Sequence, residues 1–331
     1  MMDSWVELSK GSKKPATIKL YEVTRAQYLD LVGDHPIFDV DEASGLRRYP
    51  LRHVDKFQIG LKARGIATAT IALRLRTLKT FLHWVEAREE IDRVPRIALP
   101  QKEKKIAKSL DDSQVGALFA LIEKHQREAK TEAKAWYCHL HERFLMVALG
   151  TGRRLGEIHS RKWADFELEN GRLFVGYDRE SGFDVKNREE SWVNLPATLL
   201  EYLRDLRAEH SREVWFFDNG AGGLAFKRYA LTRAFGRYIH NGPNDKPVGL
   251  GIKEVKSTHN FRAGYITQMF RDGIDLETIR RSAGHSALSV TVGYLSEPDA
   301  KMKEAVEKYD RRMSRLVSRR RLQVFEGGKK S

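Results

Sequence analysis

Several things are scarce in this chain of 331 residues, and each scarcity closes off a class of function. There is one cysteine, Cys138, so neither a disulfide framework nor a thiolate metal cluster is possible. No apolar run approaches the roughly 18–20 residues of a membrane span. The longest, Phe144–Gly150, reads as part of a buried helix. The first ten residues, M-M-D-S-W-V-E-L-S-K, lack the apolar centre of a secretory signal. No acidic cluster has the spacing of a magnesium site, and there is no internal repeat or low-complexity tract. These absences point to a reducing, cytoplasmic setting with no membrane partner and no metal or organic cofactor.

The chain is rich in positive charge. Lys and Arg number 59 against 45 Asp and Glu, a formal net charge of +14. Hydrophobic content of 41% and charged content of 31% describe a folded chain long enough for two domains, each with its own core. A cationic surplus of this size suits a polyanion, and with no membrane signature the expected partner is nucleic acid.

Helical patterning begins near residue 24, which leaves no room for a large additional N-terminal domain. Thr24 is an N-cap candidate before Arg25–Val32, with Gly33 as the stop. Pro50 opens a second helix with Leu51, Val54, Phe57 and Leu61 at helical spacing. A third starts near Thr68 or Thr70, with the stripe Ile71, Leu75, Leu78, Leu82, Val85 and with Phe81 and Trp84 alongside. Arg74, Arg76 and Lys79 lie between its apolar positions and are the candidate DNA-binding residues, although a cationic helix face is more often simply solvated. Residues Asp92–Lys108, with two prolines and K-E-K-K, read as a linker. The expected division is a helical DNA-binding domain at 1–98, a basic linker at 99–109, a catalytic domain at 110–300 and a helical tail at 301–331.

The second half starts with a capped helix near Asp111 and a long helix from about Ala133 to Leu149, ending in G-T-G-R-R-L-G-E-I. A stretch of strand character follows, with Asn170-Gly171 as a tight turn and further strand-like pieces at Gly182–Lys186 and Ser191–Leu195. A small antiparallel sheet of about three strands is expected, then helices at Pro196–Arg207, Tyr229–His240, His259–Arg271 and Asp275–Ser282. The fold class is therefore mainly α with a small antiparallel β-sheet.

Between His259 and Tyr294 the chain concentrates side chains that suit phosphate chemistry. His259 and Arg262 are three apart and share a helical face; His285 follows Gly284; Tyr294 supplies a phenol. Upstream, Glu157 is three residues after Arg154 and can hold its guanidinium, whose planar donor fork matches two phosphate oxygens. Arg153 competes with Arg154 on these grounds. Singly, each residue is explicable as packing or a surface ion pair.

Together they resemble a known family, the tyrosine site-specific recombinases or phage integrases. The likeness rests on T-G-R-R-L-G-E-I at 151–158, V-K-N-R at 185–188, T-H-N-F-R at 258–262, A-G-H-S-A-L-S-V-T at 283–291, and Tyr294, in that order. Trp163 and Asp165 add a W-x-D pair, and the likeness extends from about residue 110 to 295. It implies that Arg154, not Arg153, is the catalytic arginine. It implies a reaction in which Tyr294 attacks a phosphodiester to give a 3′-phosphotyrosine bond, Arg154 and Arg262 clamp the phosphate oxygens, and Lys186 protonates the leaving 5′ oxygen. His259 would assist removal of the phenol proton, His285 would bind phosphate or steady Tyr294, and Glu157 would orient Arg154. A phenol's ordinary pKa of about 10 makes such a base necessary at neutral pH. The transesterification needs neither metal nor ATP, because the covalent bond keeps the energy of the broken linkage.

The resemblance further implies a two-domain C-shaped clamp on double-stranded DNA with specific core sites, and a homotetramer on DNA formed from a protomer that is monomeric or weakly associated when free. Accessory bending or directionality factors, a nucleoid location and a role in integration or excision of a mobile element complete the expectation. Binding of this kind is steeply salt-sensitive. The tail carries a helical stripe (Met302, Ala305, Val306, Tyr309, Met313, Leu316, Val317) and R-R-R at 319–321, and would dock on a neighbouring protomer. Three departures stand out. The hairpin between Lys186 and V-N-L-P is about two residues longer than is common, leaving Arg188 as an alternative to Lys186; A-G-H replaces L-G-H; and Ala263 stands where a second histidine is common. The rival readings are a chromosome-dimer-type resolvase, for which the tail is longer and more basic than needed, a topoisomerase-like activity, and a non-catalytic DNA-binding protein of the same architecture, against which the complete Arg–Lys–His–Arg–His–Tyr set argues.

Overall fold

Helical spacing in the first hundred residues resolves into more helix than the sequence pattern announces. The structure, a computed structural model, describes residues 1–101, 108–178, 180–183, 190–240, 249–253, 255 and 258–294. The chain divides into two compact units, Met1–Lys105 and Ile106–Ser331.

In the first unit, α1 (Met2–Lys10) and α2 (Pro15–Val32) precede the expected start near residue 24. Pro15 lies in the first turn of α2, where its missing N–H costs nothing. Thr24 is therefore not a cap. It is buried in mid-helix, and its hydroxyl donates to the Leu20 carbonyl at 2.7 Å, satisfying it within the helix. Trp5 of α1, buried with Met2, Val6 and Ser9 on one helical face, stacks on Tyr21 of α2 with centroids 4.1 Å apart. A two-residue pairing of β1 (Asp39–Val40) with β2 (Arg47–Arg48) follows. α3 (Leu51–Ala63) and α4 (Thr68–Glu86) carry the expected stripes except for Leu51, which is exposed at the first helical position: Val54, Phe57, Leu61, Ile71, Leu75, Leu78, Leu82 and Val85 are all buried. Arg76 and Lys79 are exposed, as a cationic face requires, whereas Arg74 is half-buried and its Nε donates to Gln27 of α2 at 2.8 Å. The expected linker also starts too early. Ile91, Val94 and Ile97 pack into this unit's core, and Asp92 accepts from the Arg47 backbone N–H at 2.6 Å.

In the second unit, Asp111 and Gln114 form a reciprocal capping box at the start of α5 (Asp112–Arg127). α6 (Glu132–Thr151) is capped by Thr131 and ends at Gly152 with φ +60°. α7 (Leu155–His159) and a 3₁₀ turn at Trp163–Asp165 lead into β3 (Phe166–Glu167), β4 (Arg172–Val175) and β5 (Ser191–Asn194). These form one antiparallel sheet in the order β3-β4-β5, with Phe174 opposite Trp192, and Gly171 at φ +62° makes the turn between the first two strands. The strand piece expected at Gly182–Lys186 is described only as far as Phe183, which bridges Asp178; Lys186 and Arg188 lie outside the described residues. Helices α8 (Ala197–Glu209), α9 (Arg228–Ile239), α10 (His259–Arg271), α11 (Leu276–Ala283) and α12 (Leu288–Val292) complete the unit. Its core gathers Leu118, Leu140, Phe144, Phe216, Phe217, Phe235 and Phe261, each such burial worth roughly 1.5–3 kcal/mol. A separate small cluster of Ile266, Ile279 and Ala283, with Tyr265 and Tyr294 packed on it, ties α10 to α11 and so to the end of the described chain. No described helix is long and apolar enough to cross a membrane.

Candidate active site

The site is built where three helix ends meet. α6 stops at Gly152 because the Tyr265 ring of α10 packs against it, so closely that a Cβ there would run into the ring. The left-handed glycine turns the chain back, and its carbonyl accepts a hydrogen bond from Arg262 Nη1 at 3.0 Å. Two residues on, Arg154 begins α7. Glu157 takes both its backbone N–H (3.0 Å) and its Nη1 (2.7 Å), a grip that fixes one guanidinium pose. Arg154 Nη1 also reaches the Gly284 carbonyl at 3.4 Å. Arg153 takes the opposite course. Its side chain is buried, with Nη1 pressed against Gly284, which has no Cβ to obstruct it. Packing thus gives two adjacent arginines opposite surroundings, with Arg153 buried and Arg154 held by Glu157.

His259 and Arg262 occupy the first turn of α10. α11 ends at left-handed Gly284 (φ +67°), and the next residue, His285, turns inward to 2% exposure. His285 Nδ1 lies 2.8 Å from the Thr291 hydroxyl of α12, and its ring stacks on Tyr294 at 5.3 Å between centroids. The Tyr294 hydroxyl lies 2.7 Å from His259 Nε2.

Arg262 is 1% exposed, and its Nε and Nη2 have no hydrogen-bond partner among the described residues. Burial, and then the neighbouring Arg154, pull its pKa down to about 10. The same crowding keeps the imidazoles neutral. Burial lowers the His259 pKa, and Arg262 and Arg154 lower it further. His285 is brought to about 3, by burial first and then by the charges of Arg262 and Arg154. In the neutral His259 tautomer whose ring proton is on Nδ1, Nε2 accepts the Tyr294 O–H across this contact. The arrangement therefore offers unpaired guanidinium donors beside a phenol already directed at a base. That combination can bind a phosphodiester and attack it.

Of the candidate residues, Arg154, Glu157, His259, Arg262, His285 and Tyr294 come together. Lys186 lies outside the described residues, and Arg74, Arg76 and Lys79 belong to the first unit. Thr291, buried and holding the His285 ring, was not singled out by sequence reasoning. Its only signal there was a place in the run that follows the histidine. Among the described residues no group of three or more His, Cys, Asp or Glu is placed to hold a metal.

The model of the phage integrase family matches residues 108–301. The chain belongs to this family. It is a tyrosine recombinase, a DNA strand-transferring enzyme. Curated relatives include the tyrosine recombinase XerC of Chlorobaculum parvum, 24% identical over 306 residues covering 89% of this chain and 88% of the relative. The tyrosine recombinase XerA of Pyrococcus furiosus is 25% identical over 307 residues, covering 92% of this chain and 91% of its own. Among solved structures, the Tn1549 transposon integrase in complex with transposon right end DNA superposes with a TM-score of 0.69 at 16% identity, over 93% of this chain and 98% of that one. XerH bound to a palindromic difH substrate in a post-cleavage complex gives 0.66 at 16% identity, over 93% and 84%. A lambda integrase dimer bound to a core site gives 0.62 at 15% identity, over 87% and 95%. These likenesses establish the recombinase fold: mainly helical, with small antiparallel sheets.

Proposed function

We propose that this protein is a site-specific recombinase that cuts and rejoins double-stranded DNA through a 3′-phosphotyrosine intermediate, serving the integration and excision of a mobile element. The observation that carries the reading is the Tyr294–His259 contact of 2.7 Å beside a buried Arg262 with two nitrogens unpaired among the described residues. In the reaction, Tyr294 passes its proton to His259 Nε2 as its oxygen bonds to phosphorus. The bond from phosphorus to the 5′ oxygen breaks, and Lys186 protonates that oxygen. Arg154 and Arg262 hold the non-bridging oxygens, whose charge grows in the transition state; preorganised donors of this kind are worth about 10²–10³ in rate each. Glu157 fixes Arg154, and His285 lies under the Tyr294 ring. A 5′-hydroxyl from another strand then attacks the phosphotyrosine and reverses these steps.

The partner is DNA, in keeping with the DNA complexes in which the structural neighbours were solved. The exposed Arg76 and Lys79 support a role for α4 in backbone contacts, with Arg74 contributing less because Gln27 holds it. On DNA we place the protein at a core site as a tetramer in the nucleoid, with residues 301–331, outside the described residues, docking on a neighbouring protomer. The integrase role is supported by the likeness to a transposon integrase. The test is a nicked suicide substrate: wild-type protein accumulates a covalent adduct and Tyr294→Phe forms none. An adduct that persists in the Phe variant overturns the nucleophile.

A further inference from the structure

We propose that Arg280 is a positioning residue for His285. The inference rests on the function proposed above.

The end of α11 is closed at Gly284, and the His285 N–H donates to the Arg280 carbonyl at 2.9 Å, the usual closure of a left-handed helix end. The unusual part is the side chain. Arg280 Nη1 donates to the His285 carbonyl at 2.6 Å, so one residue holds both polar groups of the histidine main chain. The rest of the guanidinium is engaged by Glu277 one turn earlier, with Nε to Oε2 at 2.7 Å and Nη2 to Oε1 at 2.8 Å. A two-pronged pair fixes the guanidinium plane as well as its position. Hydrogen bonds from Arg280 and Arg281 hold the Glu277 carboxyl at a pKa of about 2, so the brace is charged at any working pH.

The consequence falls on the reacting groups. The His285 ring has Thr291 on Nδ1 and the Tyr294 ring against its face. The orientation of Nδ1 and the stack on Tyr294 therefore both depend on where the His285 main chain sits. Arg280 and Arg154 fix that main chain from two sides, at the carbonyls of His285 and Gly284. Misplacement of a reacting group by about 1 Å can cost on the order of a hundredfold in rate. Lysine is no substitute, because one ammonium has no planar fork with which to hold Glu277 in two places while reaching the His285 carbonyl.

The experiment measures adduct formation on the nicked suicide substrate and DNA affinity, using the full chain. The variants are Arg280→Ala and Arg280→Lys, each alone and with His285→Ala. Expected is a slowing of about 10- to 100-fold for Arg280→Ala, affinity within about twofold, a comparable slowing for Arg280→Lys, and no further loss when either is added to His285→Ala. Full activity in either single variant, or an Arg280→Ala loss that adds in full to that of His285→Ala, overturns the proposal and makes Arg280 a direct charge on DNA or a bystander. If wild-type protein forms no adduct at all, the recombinase mechanism falls instead. The brace is then decided by the NMR signals of the His285 ring, which shift in Arg280→Lys if it exists and stay in place if it does not.

Discussion

Tyr294 and His259, 35 residues apart, meet at 2.7 Å between a phenol oxygen and a ring nitrogen. Because burial and two arginines depress the His259 pKa, the imidazole meets the phenol as a base. An ordinary histidine protonates near pH 6.5. Here the neutral form persists below that value, so single-turnover cleavage should hold its rate as pH falls past 6.5 and decline only at lower pH. His259→Ala should cost about 10²–10⁴ in rate and remove that acid limb. A pH–rate profile measures both.

Arg262 is the residue whose removal should separate stability from activity. It is a buried cation with two nitrogens unpaired among the described residues, next to another arginine. Such a group costs stability when no anion is present. Arg262→Met should raise the melting temperature of the DNA-free protein by about 2–4 °C, while lowering cleavage by 10²-fold or more. A drop in melting temperature would show that the bond to the Gly152 carbonyl matters more than the buried charge.

Gly152 is needed for two reasons at once: a φ of +60° and the Tyr265 ring lying against it. Gly152→Ala should destabilise by about 2–4 kcal/mol, combining left-handed strain with overpacking. Gly273→Ala, at φ +87° with open space around it, should cost only about 1 kcal/mol. Adding Tyr265→Ala to Gly152→Ala should recover part of the loss beyond additivity. Denaturant midpoints measure all four.

Three histidines predict acid lability. His285 is depressed to about 3, and His139 and His141 to about 4, burial being the largest cause in each case. The unfolded chain takes up these protons below about pH 6.5, whereas the folded chain resists until pH 3–4. Stability is therefore complete above about 6.5 and drains away as pH falls toward 4, by at most about 3 kcal/mol per histidine. His141 Nδ1 pairs with the Tyr238 hydroxyl at 2.8 Å. His141→Gln keeps a polar partner there but cannot titrate, so its melting temperature should fall less steeply between pH 7 and 5.

Deleting residues 301–331 should leave Tyr294 able to form the adduct while abolishing the synaptic tetramer. Sedimentation on paired DNA sites and a two-site recombination assay test this. Intact tetramers and full recombination would remove the tail from the assembly.

The apolar stripes of α3 and α4, the Asp111 cap and the bounds of α10 were legible in the sequence, because periodicity and capping act over one or two turns. So was the identity of the chemical groups, since the order of the motifs survives without coordinates. The helical stretch before residue 24 was not, although α1 buries Met2, Trp5, Val6 and Ser9 at helical spacing, because its stripe is short and ends in a polar serine. Tertiary structure alone decided that Arg153 is buried under Gly284, that Arg74 is tied to Gln27, and that Arg262 keeps two nitrogens unpaired among the described residues. Each depends on contacts between chain segments far apart, such as Gly152 and Arg262, which are 110 residues apart. Sequence by itself determined which side chains could perform phosphate transfer. Packing of the ends of α6, α10 and α11 determined their protonation, their direction and which of two neighbouring arginines is buried, because those properties arise from burial and charge in three dimensions.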